Sequence, residues 1–369
     1  MEPRRVRRLA PGIVQGPGNQ ASPWAAARSR ADQQPAPLER PLLSRRALLG
    51  ALGGALAATC GPALGCRNEP PDLLRLGTDT WVGYDPLHHA RVTDLLHPKL
   101  QIIELPSSSE VARSLRNGAL DAAGLSLDET LFLAQTDADL LALLVVDTSN
   151  GADAVIGGPA VRALADLRGR RVGAEVTALA ANVLARALEA AGLGPRDVTV
   201  LPMGVHQQEA ALSSGRVDAA VTFEPMRSRL LSAGGHLLFD SRQMPGQIVD
   251  LLVVRRSFVL RMGGRNRPLV RALAEGWFAA VERMAARPAD MLPWLTRHLG
   301  APLSETTTAL SLMKFGTRAL NAELLGGRPP PLRATAEALA SLMRERRLMT
   351  RQVDFGTLFD DDLRRELLA

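Results

Sequence analysis

Two aromatic residues near the start of the body of the chain are suited to holding a small ligand. Trp81 and the only tyrosine, Tyr84, follow the apolar run LLRLGT within the segment WVGYDP. Gly83 and Pro86 mark this segment as a loop, and aromatic rings on a loop after a strand are natural walls for a ligand. The alternative is that both rings are simply buried in the core.

Polar groups follow or interrupt other apolar runs. The run LLALLVVD leads into Ser149, Asn150 and Asp153, which offer a hydroxyl, an amide and a carboxylate, although an ordinary polar turn has the same composition. Thr177 stands where a strand gives way to a helix, so it either caps that helix or helps its backbone NH groups receive an anionic ligand group. Asp250 interrupts the buried run IVDLLVV, where a carboxylate needs a partner, a hinge role or a ligand.

A repeated phrase predicts how two of the strand ends are positioned. The pattern L-x-x-G-x-[LV]-D-A-A occurs at 115–123 and again at 212–220. Each copy predicts a helix that ends at a left-handed glycine, followed by a short buried strand. The first strand ends near Ser126 and Asp128 and the second at Glu224. Ligands gather at the carboxyl ends of strands in open α/β sheets, so we expect two similar lobes facing one cleft, unless the repeat is a coincidence in an alanine-rich chain.

The rest of the body predicts the α/β class. Helical and strand patterns alternate from residue 159 to 240, which calls for a parallel sheet with right-handed crossovers. Residues 268–369 contain amphipathic helices without a chemical motif. A chain of 369 residues exceeds one typical core and favours two lobes.

Residues 1–66 predict an export signal. They combine an arginine-rich start, an apolar stretch at 47–64 and small residues before Cys66. The segment SRRALL at 44–49 matches the twin-arginine pattern, although an uncleaved anchor helix is the alternative. ALGC resembles a lipobox in which Cys66 would be lipidated, and residues 67–72 would then form a tether.

Charge and cysteine content weigh against a nucleic-acid-binding protein and against an enzyme with a catalytic thiol. The leader holds nine of the 44 basic and three of the 38 acidic residues, so the body is formally neutral and no nucleic-acid footprint is expected. Both cysteines, Cys60 and Cys66, lie in the leader, so the body has no thiol catalyst. His88 and His89 point about 100° apart on a helix and are poorly placed to share a metal. With no nucleophile elbow or metal spacing, we expect no enzyme activity, no cofactor and no metal.

Several segments together carry a resemblance to a known family. These are WVGY, GALDAAGLSLDE, VVDTSNGADAVIG, LRGRRVGAE, VDAAVTFEP and the strand that holds Asp250. In this order, over about residues 73–345, they resemble the extracytoplasmic solute-binding proteins of ABC importers for nitrate, sulfonates, taurine and thiamine-pyrimidine precursors.

The resemblance implies an α/β, two-lobe, type II periplasmic-binding-protein fold with two hinge strands and a C-terminal helical region. Lobe 1 would comprise residues 73–156 plus 249–369, and lobe 2 residues 157–248. We place the two crossings near 154–157 and 248–254.

The resemblance also implies a function. The protein would capture a small solute outside the cytoplasm and deliver it to an ABC permease and its ATPase, with membrane contact only through a lipid anchor or the signal. A pyrimidine-precursor enzyme or a ligand-binding sensor on the same fold are the alternatives. Residues that the resemblance places around the cleft are Trp81, Tyr84, Ser126, Ser149, Asn150, Asp153, Thr177, Glu224 and Asp250.

Three of these residues narrow the range of ligands that we expect. Asp153, Glu224 and Asp250 would form an acidic arc opposite the aromatic wall of Trp81 and Tyr84. Neither lysine of the chain falls at a predicted site position. An acidic arc favours a ligand with an amine or several donors, such as an aminosulfonate or an aminopyrimidine, over a bare anion such as nitrate.

Overall fold

The computed structural model describes residues 73–368 except Ala138, and it leaves out the side chains of Met262 and Asp361. The twin-arginine segment, Cys66 and the tether at 67–72 lie outside these residues. Among the residues that are described, no helix has the length and apolar character needed to cross a bilayer.

Eleven strands form two sheets within the described part of the chain. The first sheet has six strands in the order β11-β4-β10-β3-β1-β2. Its strands are β1 Leu74–Thr78, β2 Leu100–Glu104, β3 Ala122–Ser126, β4 Leu140–Ser149, β10 Val249–Arg255 and β11 Met313–Phe315. The second sheet has five strands in the order β7-β6-β8-β5-β9. Its strands are β5 Asp153–Gly157, β6 Arg170–Ala174, β7 Val198–Pro202, β8 Ala219–Phe223 and β9 His236–Asp240.

Helices cover the sheets and fill the C-terminal third. The helices between strands are α1 Asp85–Val92, α2 Ser108–Arg116, α3 Leu127–Ala134, α4 Ala178–Ala190, α5 Gln208–Ser213 and α6 Met226–Ser232. The helices after β10 are α7 Arg256–Gly264, α8 Arg267–Ala286, α9 Pro288–Leu299, α10 Leu303–Ser311, α11 Arg318–Leu325, α12 Pro331–Glu345, α13 Phe355–Leu358 and α14 Asp361–Leu368. The predicted α/β class and two-lobe fold are confirmed.

The repeated phrase forms the same joint in both sheets. Helix α2 ends before Gly118 at φ 73°, and α5 ends before Gly215 at φ 67°, the left-handed conformation that glycine adopts at least cost. The aspartate of each copy binds an arginine on the neighbouring strand. The Arg75 Nε donates to Asp121 Oδ2 over 2.8 Å, and the equivalent Arg171–Asp218 bond is 3.0 Å. Each joint therefore locks the start of a strand that leads toward the space between the sheets.

Both sheets are mixed rather than parallel. The strand β10 runs antiparallel to β3 and β4, and β5 runs antiparallel to β8 and β9. These two strands directly follow the points at which the chain passes from one sheet to the other, so they enter against the direction of their neighbours.

The chain crosses between the sheets at other positions than we expected. Residues 154–157 lie inside β5 of the second sheet, and most of 248–254 lies inside β10 of the first. The passages between sheets are residues 150–152 and 241–248. Ser149 and Ser241 join the two passages through a 2.7 Å bond between their hydroxyls, and Ser241 also accepts from the Gly151 NH.

Candidate solute-binding site

A cavity lies between the two sheets and is lined from both. The space between its walls is about 530 Å³, counting the part that opens to solvent. The lining side chains are Asp79, Trp81, Tyr84, Ser108, Glu129 and Asp250 from the first-sheet side, and Asp153, Glu175, Thr177, Leu179, Ala180, Val183, Val221, Thr222 and Phe223 from the second. Asp79 and Glu175 directly follow strands, and Thr177 opens a helix, which are the positions where α/β sheets bind ligands.

Aromatic rings meet across the cavity. Trp81 contacts Phe223 edge to face, with ring centroids 5.7 Å apart. The indole NH of Trp81 donates to Asp147 Oδ2 over 3.0 Å, which fixes the plane of the ring. Tyr84 is 3% exposed and packs against Gly124, where an added Cβ would lie 2.5 Å from the tyrosine ring. The WVGY segment therefore forms a wall with little freedom to move.

Five carboxyl groups line the cavity, and no Lys, Arg or His is among the described residues that line it. Burial is the largest cause that raises their pKa values. It raises the pKa of Asp79 and of Asp153 to about 7 and that of Glu175 to about 8, with nearby carboxylates adding to each shift. The pKa of Glu129 is also raised by burial. A cation in this cavity would relieve the repulsion between these groups.

Asp250 and Asp147 form a buried acidic pair on adjacent strands. They stand opposite each other in the β10–β4 ladder, and both are buried. Burial raises the pKa of both groups, and the charge of Asp147 adds to the rise for Asp250. Because Trp81 donates to Asp147 and so favours its charged form, Asp250 is the group that holds the proton longer. The two carboxyls therefore behave as one proton-sharing unit behind the aromatic wall.

Local sequence explains how Glu129 is held. Ser126 and Glu129 form a capping box at the start of α3, in which each side chain accepts from the backbone NH of the other. The second oxygen of Glu129 accepts from the Ser108 hydroxyl over 2.6 Å. Glu129 is thereby fixed between the first turns of α2 and α3, with its carboxylate at the cavity.

Thr177 caps the helix that it precedes, which is one of the two roles considered for it. Its hydroxyl accepts from the Ala180 NH over 3.1 Å at the start of α4. Thr177, Leu179 and Ala180 all line the cavity, so the first turn of this helix faces it. This end carries a partial positive charge, which is the opposite of the carboxylates around it.

Five of the predicted site residues line the cavity, namely Trp81, Tyr84, Asp153, Thr177 and Asp250. The other four have different surroundings. The hydroxyl of Ser126 belongs to the capping box, and that of Ser149 bonds Ser241. Asn150 is exposed, and its backbone NH donates to Leu312.

Glu224 is the largest departure from the predicted acidic arc. Its side chain is fully buried, bonds the Arg227 guanidinium over 3.0 Å and accepts from the Ser228 hydroxyl and NH. The carboxylate is turned into the first turn of α6, where a basic residue three positions later meets it. Glu224 therefore forms a buried ion pair with Arg227 and is not among the residues that line the cavity.

Asp79, Glu129, Glu175 and Phe223 are lining residues that we did not select from the sequence. Asp79 and Glu175 each come directly after a strand, so the strand-end rule already marked their positions. The S-x-x-E spacing of Ser126 and Glu129 was a visible capping signal.

The two mixed sheets, the helices that cover them and the cavity between them together have the periplasmic-binding-protein fold. The model of the NMT1-like family matches residues 67–291, and the chain belongs to that family.

Relatives with this architecture are similar over most of their length. A putative aliphatic sulfonates-binding protein of Escherichia coli strain K12 is 24% identical over 297 residues, covering 77% of this chain and 87% of the relative. The alkanesulfonate-binding protein SsuA from Xanthomonas axonopodis pv. citri, bound to MOPS, has a TM-score of 0.64 and 24% identity over 77% of this chain and 96% of its own. The nitrate-binding protein NrtA from Synechocystis PCC 6803 has a TM-score of 0.62 and 14% identity over 80% and 88% of the two chains.

Proposed function

We propose that this protein is the solute-binding component of an ABC importer and that its solute carries an amine or several hydrogen-bond donors. The fold and the interlobe cavity support the binding role, as do the names of the relatives, which are binding proteins for sulfonates and nitrate. The partners would be a membrane permease and its ATPase. The protein would act in the periplasm, exported through the twin-arginine signal and held by a lipid on Cys66.

The chemistry of the lining supports this solute class. Five carboxyl groups and three aromatic rings face the cavity. Asp153 Oδ2 and the Thr222 hydroxyl are buried and have no hydrogen-bond partner within the described residues. Buried polar groups normally have partners, so a ligand that donates hydrogen bonds would satisfy both. A bare anion would instead face several carboxylates.

The first turn of α4 would let the site recognise an acidic group of the solute as well as its amine. Its backbone NH groups can receive an acidic group of the solute, while the carboxylates and aromatic faces hold the cationic end. A zwitterion such as an aminosulfonate would match both ends, and an aminopyrimidine would match the donor-binding end alone.

A matched pair of ligands tests the solute class. Taurine and ethanesulfonate share a sulfonate on a two-carbon chain and differ in the amine, so titration calorimetry of both isolates the carboxylate contribution. We expect taurine to bind at least about tenfold more tightly, since a charge-assisted hydrogen bond contributes roughly 1.5–3 kcal/mol. Equal affinity for the two would refute the amine preference while leaving the importer role standing.

Matched carboxylate variants locate the contact. Glu175→Gln and Asp153→Asn keep the shape of each side chain and remove its charge, and we expect one or both to weaken binding of an amine ligand. Glu224→Gln is the control, because that carboxylate lies outside the cavity in an ion pair with Arg227. It should lower the melting temperature and leave affinity unchanged. Loss of binding in Glu224→Gln alone would contradict the site.

The assignment to import, rather than sensing or catalysis, has its own test. A strain lacking this gene should lose uptake of the radiolabelled solute, and uptake should return with the wild-type gene but not with Glu175→Gln if that variant fails to bind. Uptake that continues in the deletion strain would point to a sensor. Chemical conversion of the solute by the purified protein would point to an enzyme.

A further inference from the structure

A cluster of two histidines and a carboxylate lies outside the cavity, where α1 meets the C-terminal helices. His88 of α1, Glu104 at the end of β2 and His298 of α9 each contribute one ligand-type atom, and these atoms lie within 4.8 Å of one another. The Glu104 Oε2 is 3.9 Å from His88 Nε2 and 3.5 Å from His298 Nε2. Glu104 and His298 are partly exposed, so the cluster is open to ions from solution.

The spacing of these atoms suits a small tetrahedral cation. Zinc binds histidine nitrogen and carboxylate oxygen at ~2.0–2.2 Å, which puts tetrahedral ligand atoms about 3.3–3.6 Å apart. The Glu104–His298 distance already has this value, and small side-chain rotations would bring in His88. Imidazole ligands favour zinc and its transition-metal neighbours, whereas Mg²⁺ and Ca²⁺ prefer oxygen ligands.

Asp85 provides an independent indication that a cation belongs here. Its side chain is buried, and Oδ1 lies 3.2 Å from His298 Nε2. The other oxygen, Oδ2, has no hydrogen-bond partner among the described residues. A buried carboxylate with an unpartnered oxygen is costly, and a divalent cation bound to the His298 nitrogen would lie close to this carboxylate and offset its charge.

Neighbouring groups hold the two imidazole rings in place. Trp294 stacks on the His298 ring at a centroid distance of 4.6 Å and an angle of 16°. The Thr78 hydroxyl lies 2.9 Å from His88 Nε2, and this contact would give way to a metal bond. By contrast, His89 packs edge to face on Trp294 and is not one of the clustered ligands.

We propose that His88, Glu104 and His298 bind one Zn²⁺ ion, with Asp85 or a water molecule in the fourth position. Such an ion would tie α1 and the end of β2 to α9. The helix α1 begins directly after Tyr84, so the ion would also anchor the base of the aromatic wall. The sequence predicted no metal site because the two histidines are far apart in the chain and show no spacing motif.

Zinc titration of the full chain, purified without a histidine tag and stripped with a chelator, tests the site. We expect calorimetry to give one zinc ion per chain, no binding of Mg²⁺, and a melting temperature that rises until one equivalent is added. Cobalt at the same site should show the visible absorption of tetrahedral Co²⁺.

Variants assign the zinc to these residues. His298→Gln and Glu104→Gln should each weaken zinc binding by at least about tenfold, whereas His236→Gln, on β9 of the other sheet, should retain wild-type affinity. Cys60→Ser with Cys66→Ser should also retain it, which removes the thiols as an alternative site. If His298→Gln does not fold, Glu104→Gln decides, because it changes a partly exposed side chain. No zinc binding at millimolar concentration, or wild-type affinity in both ligand variants, overturns the proposal.

Discussion

Gly83 shows how closely the aromatic wall is packed at the scale of single residues. A Cβ at this position would lie 2.0 Å from Asp147 Oδ2 and 2.2 Å from Trp81 Nε1. We therefore expect Gly83→Ala to break the Trp81–Asp147 hydrogen bond, to destabilise the fold by about 1–3 kcal/mol and to weaken solute binding. Urea unfolding and calorimetry measure the two effects. In the control Gly194→Ala, the nearest atom is 3.9 Å away, so an equal loss there would contradict this explanation.

Strand-end positions were readable from the sequence, but the direction of a side chain was not. Asp79, Glu175 and Glu224 each stand directly after a strand, and the same rule applies to all three. Only Glu224 is removed from the cavity, because Arg227 lies one helical turn later and binds it. Asp79 and Glu175 have no such partner, so their carboxyls face the cavity. The sequence held a signal for this difference in the i, i+3 pair, but only the structure shows its outcome.

The twin joints allow a comparison at the scale of elements. The side chain of Asp121 is 6% exposed and that of Asp218 is 20% exposed, although both bind an arginine on the adjacent strand. We expect Asp121→Asn to cost about 1–3 kcal/mol and Asp218→Asn less than about 1 kcal/mol, because water screens the more exposed pair. Chemical unfolding of the two variants checks the order. A reversed order would mean that exposure does not control the strength of these joints.

Element prediction succeeded where an apolar run follows a glycine stop, and it failed where a capping signal was overlooked or where the element depends on tertiary pairing. The strand β8, Ala219–Phe223, ends directly before Glu224, as the apolar run after the glycine stop predicted. The helix α3 was missed although Ser126 and Glu129 form its capping box. The three-residue strand Met313–Phe315 has no period of its own and exists because it pairs with the edge of β4. Such pairing depends on tertiary contact, which a single sequence does not reveal.

At the scale of the whole molecule, buried carboxyls should make the empty protein more stable in mild acid. Burial raises the pKa values of Asp79 and Asp153 from 3.8 to about 7. The folded state therefore binds more protons than the unfolded chain between about pH 4 and 7, so stability is present below this range and is lost as the pH rises through it. Burial lowers the pKa of His88 to about 4 and also lowers that of His89. These two groups act in the opposite direction but are outnumbered by the buried carboxyls whose pKa values are raised.

The stability prediction has a direct measurement. We expect the free energy of unfolding to fall from pH 5 to pH 7, by about 1.4 kcal/mol per pH unit for each group that titrates differently in the two states. Glu175→Gln should reduce the slope, because burial raises the pKa of Glu175 to about 8. A free energy that rises with pH across this range, or an unchanged slope in Glu175→Gln, would contradict the protonated cavity.

The affinity for a cationic solute should depend on the same carboxyl protons, but it should rise with pH whereas stability falls. A cationic solute favours ionised carboxylates, so its affinity should rise between pH 5 and pH 8 as the groups with pKa values near 7 and 8 lose their protons. Each proton released on binding changes the affinity by up to about tenfold per pH unit. An anionic solute would show the opposite trend, because it needs the protonated cavity.

Calorimetry of taurine and ethanesulfonate across this pH range, in buffers of different ionisation enthalpy, measures both the affinity and the number of protons released. If affinity for taurine falls with rising pH, the carboxylates are not its binding groups, and the helix end at Thr177 becomes the main contact.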